Sequence, residues 1–343
     1  MEIVDALRGV AALAVCWFHF TQGVGEFLPE GLLKKSGAYG FLGVQVFFVV
    51  SGFVIPFTLA KSSYTPRDYF RFIARRIVRL DPPYFVSLAL VLLVGFALMH
   101  LTNSHAGRPP FQSYTQLALH IGYINALFGY EWLNPIYWTL AIEFQYYLFL
   151  GLLFPLLFGS NKALRITTAL VLCALPYLNQ NHSLVFWYFP WFLFGVYACY
   201  FNRKEIGRPE YIVALAVLGV FSIKLYGLPE AGVLTATSLL ISFYRGKIGR
   251  VLSFFGMISY SLYLTHAPIG CTFINLSNHF EPGYADKLVV LFLAAALTIS
   301  ASYLMFRFVE KPALNLASRI RYRRFAPAQA KPDTAQSASA GLS

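Results

Sequence analysis

Long apolar stretches, broken at short intervals by polar and basic ones, set the hydropathy pattern of this chain. A helix needs about 17–25 predominantly apolar residues to cross a bilayer. Windows of about that length fall at 4–22, 39–60, 83–101, 136–158, 164–179, 185–201, 211–227, 229–244, 252–275 and 287–309. The pattern predicts an all-α integral membrane protein, a bundle of about ten transmembrane helices. The one long connection, at about 100–135, contains 'SYTQLALHIGYINALF', which reads as an amphipathic or partly re-entrant helix at the interface. Residues 325–343, rich in Ala, Pro, Ser and Gln, read as a disordered tail. A membrane domain over 1–315 and a basic juxtamembrane segment with tail over 316–343 is the simplest organisation.

Composition agrees with this. The chain is 57% hydrophobic and 12% charged, where soluble domains run near a quarter charged. Of the 27 Lys and Arg residues, 21 fall on one face of the predicted bundle and five on the other, with Arg8 left over inside the first span. That alternation predicts both termini on the cytoplasmic side of the cell inner (plasma) membrane, and an even number of spans. The net charge of +12 therefore acts as an orientation signal and does not indicate a nucleic-acid partner. Glu2 and Asp5 ahead of the first apolar run argue against a cleavable signal. Cys16, Cys173, Cys199 and Cys271 lie in apolar segments without a CxxC pair, so neither a disulfide framework nor a metal site is expected. No HExxH, P-loop or GxGxxG stands out, and no internal repeat supports an inverted-repeat transporter.

Chemistry is sought in the ionisable residues of the spans, since they are costly in hydrocarbon. Arg8 and His19 are eleven residues apart, about three turns and 16 Å along one helix face. Arg8 falls near the cytoplasmic edge, where it either snorkels, paired with Asp5, or serves a ligand. His19 falls in the outer half, as an interhelical hydrogen-bond partner or as a general base. Glu143 lies about 10 Å inside the fourth window. It is either a structural partner of Arg8 or another buried cation, or the group that orients His19, whose depth it matches better. His266 falls near the same inferred plane. Trp138, Tyr146 and Tyr147 read as packing aromatics.

Ser51 and Gly52, in 'FFVVSGFVI', fit close helix packing and equally a narrow passage for a ligand. In 'YFRFIARRIVRLDPPYF', spacings of four put Arg71, Arg75 and Arg79 on one face with Arg76 beside them. They read either as an orientation signal and lipid contact or as a phosphate site. Pro82 and Pro83 are expected to end that helix sharply.

Six of these motifs occur together and in order: 'DALRGVAALAVCWFHF', 'FFVVSGFVI', 'RRIVRLDPPYF', 'NPIYWTLAIEFQYY', 'YSLYLTHAPI' and 'EKPA'. In this the chain resembles, from residue 3 to about 315, the acyltransferase-3 family of integral membrane O-acyltransferases. The resemblance implies transfer of an acyl group, acetyl above all, from cytoplasmic acyl-CoA (acetyl-CoA) to a hydroxyl of a carbohydrate such as a surface or exported polysaccharide. It implies that Arg8 and His19 are required and that Arg75, Arg76 and Arg79 hold the CoA phosphates. Ser51 and Tyr84 then fall along the donor's path, and His19, Arg8, Glu143 and His266 form the catalytic set. No metal is implied.

Phe85 stands where the family often has Trp. Many relatives add an extracytoplasmic esterase-like domain, for which this chain ends too soon, so a relay to such a domain would need a partner protein. Two alternatives stay open: acylation of a small molecule such as an antibiotic or lipo-oligosaccharide, and a non-enzymatic exporter.

Overall fold

The computed structural model describes residues 1–24, 27–101 and 111–322. It is helical, with no strand among the described residues. The order is α1 (Glu2–Thr21), α2 (Leu32–Ser36), α3 (Gly43–Lys61), α4 (Tyr69–Leu101), α5 (Tyr114–Ile121), α6 (Tyr137–Phe158) and α7 (Lys162–Leu178). There follow α8 (Phe189–Asn202), α9 (Arg208–Tyr226), α10 (Leu228–Phe243), α11 (Arg250–Thr265), α12 (Thr272–Asn278), α13 (Tyr284–Met305) and α14 (Lys311–Arg319). Among the described residues, six helical stretches are long and apolar enough to cross a membrane: Glu2–Thr21, Leu32–Lys61, Pro66–His100, Tyr137–Phe158, Arg208–Tyr226 and Tyr284–Arg319. The remaining apolar windows lie on the shorter helices α7, α8, α10 and α11–α12.

Helices in lipid gain nothing from the hydrophobic effect against one another, so small residues that admit close backbone contact decide which pairs pack. Two glycine seams do this here. A Cβ on Gly9 would lie 2.7 Å from the Gly256 amide nitrogen, and one on Gly256 would strike the Asp5 carbonyl, so α1 and α11 touch backbone to backbone. Gly52 and Gly195 do the same for α3 and α8. Gly52 is thus a packing residue, while its neighbour Ser51 faces a cavity. Around the second seam, Phe192 stacks on Tyr146 with centroids 3.8 Å apart and on Phe48 at 4.8 Å.

α4 departs from expectation. Instead of stopping at Pro82 and Pro83, it runs unbroken for 33 residues. Without water to take up freed backbone groups, a helix is the cheapest state for a chain in hydrocarbon, even where two carbonyls lose their usual amide partners. The Tyr260 hydroxyl donates to the Leu80 carbonyl at 2.9 Å just ahead of the prolines.

The long connection is partly within the described residues and is built round a short helix. Ser113 caps α5 by accepting the Gln116 amide at 3.1 Å, and Gln116, His120 and Asn125 are buried. One proton placement satisfies His120. Its Nδ1–H donates to the Tyr84 hydroxyl at 2.8 Å, that hydroxyl donates to the His120 carbonyl at 3.3 Å, and Nε2 accepts the Leu133 amide at 3.4 Å. Burial pushes the His120 pKa down to about 4, so the ring is neutral near pH 7 and the latch holds.

Two turns of π-helix join helices, His266–Cys271 between α11 and α12 and Phe306–Glu310 between α13 and α14. The boundary expected at 315 falls inside α14, whose Ala313 and Ala317 are buried. Tyr322 beyond it sits against Tyr64 and under the Arg75 guanidinium. The tail at 325–343 lies outside the described residues.

Candidate active site

α1 carries a polar centre on each half. The one toward its C-terminal end pairs His19 with His266, with ring centroids 5.0 Å apart. His19 Nδ1 lies 2.9 Å from the Val15 carbonyl and 3.2 Å from His266 Nε2, and His266 Nδ1 lies 3.3 Å from the Leu262 carbonyl. A lone pair on His19 Nδ1 would face the Val15 oxygen, so that nitrogen carries the proton. It is shared between Val15 and His266 Nε2, while the His266 proton sits on Nδ1 and points to Leu262. The outcome is a fixed tautomer that leaves the lone pair of His19 on Nε2, the atom a general base requires. His266 is fully buried and His19 only partly. His266 comes from a π-turn, a form of helix that recurs at functional sites.

The other centre, toward the N-terminal end of α1, is a cavity of about 760 Å³, counting its open mouth. α1 contributes Arg8, α3 Ser51, α4 Arg76 and Arg79, α6 Glu143 and Tyr147, and α11 Tyr260 and Tyr263. Ser51 donates a hydrogen bond to Glu143. Arg76, only 6% exposed, lies over the rings of Phe72 and Tyr147 at 5.3 and 5.4 Å, and its Nε has no partner. None of Arg8, Arg76 and Arg79 reaches a carboxylate within 4.0 Å among the described residues. Three guanidiniums that stay unpaired in a low-dielectric cavity are expensive, and an anion relieves that cost.

The two centres share a wall. Tyr263 lines the cavity, and on its other side its ring lies 5.7 Å from the His266 ring. Its hydroxyl is held by Thr139 at 2.7 Å and the Ile136 carbonyl at 3.2 Å.

The structure gathers the expected residues into different groups from those the sequence suggested. Arg8, Ser51, Arg76, Arg79 and Glu143 line one cavity, and His19 meets His266. Glu143 does not reach His19: it faces α3 and bonds Ser51, on the arginine side of Tyr263. Depth along a helix says nothing of the direction in which a residue points, and direction decided this case. Arg75 points away from the cavity, its guanidinium 5.8 Å from the Tyr322 ring centroid, because the i, i+3 row of Arg76 and Arg79 faces inward. Tyr84 also lies outside the cavity, its hydroxyl engaged by His120.

Two residues were missed. Tyr263 gave no signal beyond its aromaticity. Glu310, within 'EKPA', is 4% exposed and accepts the Ser261 hydroxyl at 2.6 Å. It falls one residue past the window at 287–309, outside the spans searched for ionisable groups.

Comparison with known proteins was then decisive. A family model described as an acyltransferase domain, Acyl_transf_3, matches residues 1–307. The membrane-bound transacylase BcsY of Komagataeibacter xylinus, so named, is 28% identical over 92% of this chain and 83% of its own length. A Staphylococcus aureus (strain MSSA476) protein named as an O-acetyltransferase, SAS0844, is 27% identical over 91% of this chain, which spans only 57% of that relative's length. A protein named as an acetyltransferase, ORF330 of Acidianus two-tailed virus, is 27% identical over 53% of this chain and 52% of its own. No solved structure matches. The match across nearly all of the membrane domain sets aside the non-enzymatic exporter. This chain is a multi-pass membrane acyltransferase and belongs to the acyltransferase-3 family.

Proposed function

We propose that this protein moves an acetyl group from acetyl-CoA, or a related acyl-CoA, to a hydroxyl of a carbohydrate acceptor at the cell envelope. The proposal places ten spans in the inner membrane with both termini and the basic loops cytoplasmic, in keeping with the distribution of Lys and Arg. One observation carries it. Three guanidiniums with no carboxylate within 4.0 Å among the described residues line one cavity, and Tyr263, which also lines it, has its ring 5.7 Å from His266, the partner of His19.

Arg76 and Arg79 hold donor phosphates, since guanidinium matches phosphate geometry, and Arg8 contacts the donor further in. The pantetheine arm passes Ser51 and Tyr263 toward His19. His19 Nε2 accepts the proton of the acceptor hydroxyl as its oxygen attacks the thioester carbonyl. The C–O ester bond forms, the C–S bond breaks, and the imidazolium returns the proton to the departing thiolate of CoA. His266 keeps the Nε2 lone pair of His19 free by accepting a hydrogen bond from its Nδ1–H. Glu143 holds Ser51 and tempers the cationic charge.

Purified protein in lipid nanodiscs, given radiolabelled acetyl-CoA and candidate glycans, should release free CoA and label the glycan in equal amounts. Absence of both products with every glycan and with small-molecule hydroxyl acceptors would overturn the proposal.

A further inference from the structure

On the far side of the bundle, α7 and α9 both pack on α8 but barely touch each other. The gap is a groove of about 1240 Å³ counting its open side. Its floor is Tyr197 and Tyr200 of α8, and its walls are Ile166 and Leu170 of α7 and Val213 and Val217 of α9. Leu170 is 52% exposed and Val213 62%. α9 is long and apolar enough to cross a membrane, so this slot opens to hydrocarbon. It runs along twelve residues of α7, from Lys162 to Cys173, about 16 Å of helix. Half of a bilayer's hydrocarbon core is about 15 Å. The groove is one leaflet deep.

Its mouth is basic. α7 starts at Lys162 and α9 at Arg208, so two helix N-termini with their partial positive charge meet there. Lys162, Arg165 and Glu210 line the groove there, and Arg203, Lys204, Glu205 and Arg208 lie on the adjoining stretch between α8 and the start of α9. Glu205 bridges Arg165 and Arg203, each at 2.6 Å, and Glu210 pairs with Lys162. Lys204 and Arg208 are exposed and meet no carboxylate among the described residues.

We infer that this groove is a binding site for one anionic phospholipid of the leaflet on the basic face. One acyl chain lies between α7 and α9, and the phosphate sits at the rim formed by Lys204 and Arg208. A slot lined by Ile, Leu and Val gains nothing from water and fills with a lipid chain, and the excess of cations selects a negative headgroup. Bound there, the lipid wedges α7 and α9 apart and completes a packing surface that the protein alone leaves open. The site stands apart from the acyl-transfer centre.

The full chain, reconstituted in nanodiscs of mixed phosphatidylcholine and phosphatidylglycerol and re-extracted into mild detergent, should retain one phosphatidylglycerol by native mass spectrometry. Lys204→Gln with Arg208→Gln, both exposed, should weaken that retention by about fivefold per cation while leaving phosphatidylcholine unchanged. Leu170→Trp with Val217→Trp should fill the slot and abolish retention. Equal retention of the two lipids, or full retention in the tryptophan variant, would overturn the site. So would a retained mass that proves to be a second copy of this chain. Should the tryptophan variant fail to fold, the surface charge variant still decides.

Discussion

The two polar centres on α1 are solved in opposite ways. Around His19 every proton has a partner: Val15, His266 and Leu262 absorb all but one lone pair. Around Arg8, Arg76 and Arg79 no carboxylate lies within 4.0 Å among the described residues, and the buried Arg76 Nε has no hydrogen-bond partner. A satisfied network fixes geometry before a substrate arrives, which is what catalysis by positioning needs. An unsatisfied one stores a demand for a ligand, which is what recognition needs. A mutation should therefore reveal to which kind a residue belongs.

The largest effect is expected at the satisfied centre. His19→Ala should lower acetyl transfer by about 10²–10⁴-fold, the range for loss of a general base, with protein level and thermal midpoint near wild type. Full transfer in that variant at normal protein level would remove His19 as base. Next comes the unsatisfied centre. Arg76→Met should raise the donor KM about tenfold, the loss of one charge-assisted contact. The same change should leave the thermal midpoint without donor equal or higher, since replacing an unpaired buried charge by an apolar chain is neutral or stabilising. A lower midpoint would show that Arg76 is already satisfied and would erase the contrast. Tyr263→Phe, at the shared wall, should reduce kcat by no more than about tenfold through loss of one hydrogen bond. Tyr263→Ala should instead raise acetyl-CoA hydrolysis without acceptor, as the partition opens. Equal hydrolysis in both variants would deny the ring a partitioning role.

The smallest effect concerns the His120 latch. Its folded pKa is depressed to about 4, against about 6.5 for a free histidine. The unfolded chain therefore binds more protons, and stability from the latch is complete above pH 6.5 and declines as pH falls toward 4. Proteolysis of the 111–135 segment should increase over that window in wild type. His120→Gln should flatten the dependence, and unchanged pH dependence in that variant would assign it elsewhere.

Helix positions were legible because apolar runs and polar breaks are local properties. Arg8 and His19 were legible as a pair because one helix fixes their spacing and shared face. His266 was found by depth, and its meeting with His19 rewarded that estimate; the same estimate misplaced Glu143. Which way a side chain points depends on the neighbour it packs against, and a single sequence holds no neighbours. The prolines of α4 misled for a related reason: the rule that they end helices comes from water, which rescues broken backbone, and hydrocarbon does not. Tyr84 and Arg75 looked like donor ligands by motif, yet tertiary partners, His120 and Tyr322, claimed them first.

The unbroken passage of α4 through Pro82 and Pro83 bears on motion. Proline has no amide hydrogen, so the carbonyls of Val78 and Arg79 lack their usual partners four residues on. Those two missing rungs fall between the guanidiniums of Arg76 and Arg79 and the ring of Tyr84, which anchors the C-terminal half to His120. The rod is softest at that point. A ligand that tugs on the arginines should therefore flex α4 there and leave its C-terminal half, together with the loop fastened to it, in place.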